Sequence, residues 1–195
     1  MMQGKNRELI KPEESLLLVI DLQEKFVPDL VHERRVVQYA QVLLEAAATL
    51  NIPVVVSEHH PEAIGPSVEA IAGLLEGAKI FRKDIFGCFG DEAIKNEITS
   101  AAGVKNIIIT GCETHICVMQ TSLAALELGY NVHVAANAVS SRTELDWKLG
   151  LERIGKAGGV IASAEMTVYE LLGRSDTAAF KQLLPVFKDW KKREP

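Results

Sequence analysis

Two residues stand where their type and position suit chemistry: Cys117, inside the stretch IIITGCETHICV (107–118), and Asp21, which closes the apolar run LLLVI. The run Ile107-Ile108-Ile109 reads as a strand buried on both faces. Gly111 is expected to break it, and Thr114 to cap a helix from His115 through Leu128, on which Ile116, Met119, Leu123 and Leu126 recur at helical spacing before Gly129. Cys117 then lies in the first turn of a helix. There, unpaired N–H groups and the positive end of the dipole favour a thiolate. Bringing a thiol from its free pKa of ~8.5 to roughly 6 takes about 3.4 kcal/mol, more than one dipole supplies. A nucleophilic Cys117 therefore requires a nearby cation, and a base to take its proton.

The elements that must position these groups follow from the apolar pattern. Strands are expected over Leu16 to Ile20, Pro53 to Ser57, Lys79 to Lys83, Ile107 to Ile109, Asn131 to Ala136 and Val160 to Ser163. Between them run helices over Glu33 to Leu50, from the Asp91 cap to about Ala102, His115 to Leu128, Glu144 to Lys156 and Ala164 to Leu172. A last helix from Asp176 contains Pro185, and Lys188, Lys191, Lys192 and Arg193 suit its C-terminal end. Six such cycles imply an α/β, three-layer Rossmann-like sandwich with a six-stranded parallel sheet, because each right-handed crossover returns its helix to the sheet. In the common order 3-2-1-4-5-6 the first and fourth strands are neighbours at the switch point, so Asp21 and Cys117 meet in the crevice at their carboxyl ends. DLQEKFVP after the first strand offers no glycine cradle for a dinucleotide.

At 195 residues, 48% hydrophobic and 24% charged, the chain suits a single α/β domain over 1–195, with a polar leader at 1–14 and a C-terminal helical extension at 173–195. A net charge of -5 without an aromatic-interleaved basic patch argues against a nucleic-acid partner. No apolar run has signal-peptide character or membrane-spanning length, so no membrane is expected and a cytoplasmic location is. Cys88, Cys112 and Cys117 show no metal-ligand spacing and read as thiols in a reducing compartment. His59, His60 and His115 lack a sensibly spaced third ligand, so no metal and no cofactor are expected.

Three separated motifs, VIDLQ with Asp21, RKDIFGCF with Lys83 and TGCETHICV with Cys117, occur in the order found in a known family. Over roughly Ser15 to Leu172 the chain resembles the isochorismatase-like cysteine hydrolases, most closely the branch of isochorismatase-domain-containing proteins. The resemblance implies a catalytic triad of Asp21, Lys83 and Cys117, with Lys83 as the required cation. It also implies a cis Cys112–Glu113 peptide and an oxyanion hole built from the backbone N–H groups of Glu113 and Cys117. Cys117 sets the chain apart from isochorismatases proper, which lack the nucleophile. Glu58-His59-His60 does not match the Asp-x-His-x-x-x-His metal motif common in nicotinamidases. Phe26, His59, Phe86, Phe89 and His115 flank the motifs and are assigned to the substrate pocket, although packing beneath the loops is an equally good use of the three phenylalanines. The expected activity is hydrolysis of a small amide or related C–N bond through a thioester, with a small-molecule substrate and a homo-oligomeric assembly. The alternative is a catalytically weak oligomeric scaffold.

Overall fold

The computed structural model describes residues 9–188; residues 1–8 of the leader, and Lys191, Lys192 and Arg193, lie outside the described residues. Six parallel strands form one sheet in the order β3-β2-β1-β4-β5-β6. They are β1 (Ser15–Ile20), β2 (Val54–His59), β3 (Lys79–Lys83), β4 (Asn106–Cys112), β5 (Asn131–Ser140) and β6 (Val160–Ala162). The central strands are apolar because both faces are covered: every residue of β1 and β4 is buried. At roughly 1.5–3 kcal/mol for each fully buried Leu or Ile, these two strands supply much of the driving force that holds the sheet between its helices.

One core layer joins Leu17, Val19 and Ile108 to α1 (Glu33–Leu50), α7 (Ala164–Leu172) and α8 (Ala178–Lys188). The other joins Leu16, Leu18, Ile107 and Ile109 to α4 (Glu92–Ser100), α5 (Met119–Glu127) and α6 (Glu144–Lys156). The alternation along β1 and β4 follows from successive side chains pointing to opposite faces. Two short helices, α2 (Pro61–Ile64) and α3 (Glu69–Ala72), lie between β2 and β3, where the apolar pattern predicts no helix.

Three departures from the sequence reading concern the site. Gly111 does not break β4, which continues through it to Cys112. Gly111 pairs with Ile20 of β1, and an added Cβ would sit 1.9 Å from the Ile20 carbonyl oxygen, so glycine is there for close strand approach at φ +125. Thr114 is not a helix cap: Glu113 holds that position, and Thr114 is the buried first residue of a π-helical turn, Thr114–Val118, that precedes α5. The Val118 N–H donates to the Glu113 carbonyl five residues back, the bond that defines such a turn. β5 also runs on to Ser140, past Ala136, where the apolar pattern predicts its end, and through the polar Asn137.

Candidate active site

Asp21 follows β1 and turns the chain in the left-handed region at φ 51, a conformation that Asp tolerates better than most residues. Its side chain is fully buried. Ser57 of β2 donates to Oδ1 at 2.7 Å, and Lys83 Nζ donates to Oδ2 at 2.7 Å. These contacts come from register: Ile20 lies beside Ser57, and β3 brings Lys83 alongside His59 at the same edge of the sheet. Lys83 is likewise buried, and its Nζ also donates to the Ile85 carbonyl at 3.2 Å and lies 3.7 Å from Cys117 Sγ. The three groups named from the motifs are therefore one cluster at the carboxyl ends of β1, β3 and β4.

Electrostatically the cluster is an ion pair with a thiol beside it. Burial raises the pKa of Asp21, against the attraction of Lys83 and the hydrogen bonds from Lys83 and Ser57, and makes it a more basic carboxylate than an exposed one. Burial is the largest influence on Lys83 and opposes its charge, but the Asp21 carboxylate together with the neighbouring cysteines outweighs it and holds the ammonium's pKa above its ordinary value. The Cys117 thiol is pushed up to about 12, by burial first and then by the negative charge of Asp21, with Lys83 acting in the opposite direction. The acidic thiol that a helix start together with a nearby cation would give is thus replaced by a protonated one hydrogen-bonded to Asp21. The cation is in place, yet the carboxylate and the lost hydration outweigh it. Cys88 and Cys112 are buried free thiols whose pKa values burial also raises.

A cavity of about 340 Å³ opens over Cys117, lined by Phe26, His59, Phe86 and Ile116 and by the charged residues Asp29, Glu113 and Arg142. Phe26 stacks on the His59 ring at 6.3 Å, and Phe86 lies against the same ring at 5.6 Å. Burial and the nearby Lys83 lower the pKa of His59, so the ring is neutral at neutral pH. Phe89 and His115 are elsewhere. Phe89 is buried in the core against Tyr130, and His115 Nδ1 bonds Ser141 Oγ at 2.9 Å. Phe89 lies in the short 3-10 turn Cys88–Gly90 at the end of the motif, where packing takes the ring; His115 stands two residues before Cys117 on the π turn and is engaged by Ser141.

Sequence reasoning missed five contributors. Ser57 ends an apolar strand beside Asp21 and carried a readable signal, as did Gln23 within VIDLQ. Gln23 is fully buried; its amide donates to the His59 and Gly65 carbonyls and accepts from the His59 N–H, clamping β2 to the segment after β1. Asp29, Ile116 and Arg142 reach the cavity through loop geometry that no local pattern reveals. The Cys112–Glu113 peptide is cis. Among the described residues, His60, Glu62 and Asp84 bring three ligand atoms together, but Arg82 pairs with both acids at 2.9 and 3.0 Å, as in an ordinary surface ion network.

Comparison with known proteins places this geometry. The family model described as "Isochorismatase domain" matches residues 15–166. The Xenopus laevis isochorismatase domain-containing protein 2 is 33% identical over 175 residues, which cover 90% of this chain and 84% of that protein. The structure of the MAR1 ribonuclease from Caenorhabditis elegans superposes with a TM-score of 0.84 at 34% identity, over 92% of each chain. YcaC from Escherichia coli, described as an octameric hydrolase of unknown specificity, shares the fold with a TM-score of 0.83 at 19% identity over 97% of each chain. With its matching model, relatives and sheet order, the chain belongs to the isochorismatase family.

Proposed function

We propose that this chain is a cysteine-dependent hydrolase of a small amide or related C–N bond, acting through a thioester on Cys117. The observation that carries the reading is the buried Asp21–Lys83 ion pair in contact with Cys117 Sγ beneath a cavity of small-molecule size. In the resting site Cys117 keeps its proton. When a substrate carbonyl sits over the sulfur, Asp21 takes that proton and the sulfur attacks the carbon. The carbonyl electron pair moves to oxygen, where the N–H groups of Glu113 and Cys117 receive it. Lys83 keeps the emerging negative charge compensated in a site from which water is largely excluded. Collapse of the intermediate breaks the C–N bond, and Asp21 returns its proton to the leaving nitrogen. The same carboxylate then activates water, which releases the acid and restores the thiol.

The C. elegans neighbour's name raises phosphodiester cleavage. A net charge of -5 and a cavity whose lining includes Asp29 and Glu113 with a single Arg142 are poorly suited to a polyanion. The protonated resting thiol favours a different second reading, a catalytically weak oligomeric scaffold. The two part on turnover. Screening small uncharged carboxamides for ammonia release is expected to find activity in the wild type that Cys117→Ala lowers to background, with the far-UV circular dichroism unchanged. Activity surviving in the purified variant contradicts the covalent scheme, and inertness across the panel favours the scaffold.

A further inference from the structure

Glu113 is held at its carbonyl and at its carboxylate. Its carbonyl accepts from the N–H groups of Ile116 and Val118, each at 3.1 Å, and so ties down the turn that carries Cys117. Its amide follows the cis peptide and is the oxyanion donor of the mechanism above. Its carboxylate, whose side chain is only 11% exposed, accepts from Arg142 Nε at 2.9 Å and from the Arg142 backbone N–H at 3.3 Å. Arg142 stands just beyond the end of β5, and both residues face the cavity. Asp29 and Asp146 lie near the same guanidinium, so its charge is compensated by the protein.

From this arrangement we infer that Arg142 is a positioning residue for the oxyanion hole. By fixing the Glu113 side chain to the end of β5, it sets the direction in which the Glu113 N–H points, rather than offering its charge to a substrate anion. The inference rests on the hydrolase reading. A carboxylate oxygen that accepts from both the Nε–H and the backbone N–H of one arginine restricts rotation of its own residue, and an oxyanion donor acts only when it is aimed before the charge develops. Losing one such donor costs roughly 10²–10³ in rate, so a misdirected one is expected to cost about tenfold or more.

The test needs no natural substrate. Benzaldehyde adds reversibly to a cysteine: the sulfur bonds the carbonyl carbon, the C=O pair moves to oxygen, and the thiol proton follows, leaving a thiohemiacetal with its oxygen at the oxyanion position. Binding is read as protection of Cys117 from iodoacetamide, followed by peptide mass spectrometry, because displacement at iodoacetamide builds no carbonyl oxyanion. In Arg142→Gln and Glu113→Gln, protection is expected to weaken about tenfold or more while the alkylation rate without aldehyde changes less than about twofold. Arg142→Lys, which keeps the cation, is expected to recover part of the loss. Wild-type protection in both variants overturns the inference, as does a parallel fall in bare alkylation, which would mark a general structural role. A loss seen only with 4-carboxybenzaldehyde also overturns it, since Arg142 would then be binding the anion. Absence of protection in the wild type contradicts the hydrolase reading itself, and the inference with it.

Discussion

At the residue scale, the chemistry turns on where one proton resides. Asp21 raises the Cys117 pKa by its charge and by the hydrogen bond it accepts, whereas Lys83 lowers it. Asp21→Asn therefore brings the thiol down from about 12 and increases the thiolate present at a given pH, yet it removes the group that carries the thiol proton to the leaving nitrogen. Lys83→Met acts with the opposite sign and leaves a carboxylate unpaired in the interior, a loss worth about 3–5 kcal/mol for a buried pair. Thiolate content and turnover are thus expected to move in opposite directions in Asp21→Asn, which distinguishes a proton-transfer base from a residue that only tunes the thiol. The cysteine, the aspartate and the need for a cation could be read from sequence, because strand ends and a helix start are local features. The sign of the net shift could not, because burial of a charge depends on everything packed around it.

At the scale of elements, the site is aimed by backbone contacts that leave no room for a side chain. Gly150 of α6 packs on the turn bearing Cys117; an added Cβ would stand 2.9 Å from Thr114 C and O and 3.0 Å from His115 Cα. Gly150→Ala is favoured by roughly 1 kcal/mol in helix propensity, so its cost must come from displacing that turn. Turnover is expected to fall by about tenfold or more, as a misaligned nucleophile implies, while the thermal midpoint shifts by only a few degrees. Unchanged activity in a folded Gly150→Ala would show that the turn yields without moving Cys117. The strands and long helices were legible because their apolar periods are strong. The π turn, the passage of β4 through Gly111 and the extension of β5 were not, since each depends on what a neighbouring strand or helix presses against the chain.

At the scale of the whole molecule, the parallel order 3-2-1-4-5-6 converts short motifs far apart in sequence into one cluster; the strand-helix alternation implies the parallel sheet, and its order is the common one for such sheets. The cavity above it did not: Asp29 and Arg142 arrive from separate loops, while Phe89 turns into the core. Among the described residues no helix is long and apolar enough to cross a membrane. Folding stability carries its own pH dependence through His133 of β5, which is 5% exposed, has no partner at Nδ1 and has its pKa lowered by burial to about 4. Between its unfolded value near 6.5 and that folded value, the unfolded chain binds a proton that the folded chain refuses, so stability falls as pH falls through this window. A loss on the order of 2 kcal/mol is expected from about pH 7.5 to about pH 5, and His133→Leu should flatten it; identical urea midpoints for wild type at both pH values would contradict this. The central claim, that a buried Asp21–Lys83 pair governs the Cys117 proton, is tested most directly by the pH dependence of Cys117 alkylation in the wild type, Asp21→Asn and Lys83→Met. The wild-type rate is expected to climb without a plateau through about pH 10, well beyond the free-cysteine value of ~8.5, with the Asp21→Asn profile displaced to lower pH and the Lys83→Met profile to higher. Three superimposable profiles centred on the free-cysteine value would contradict it.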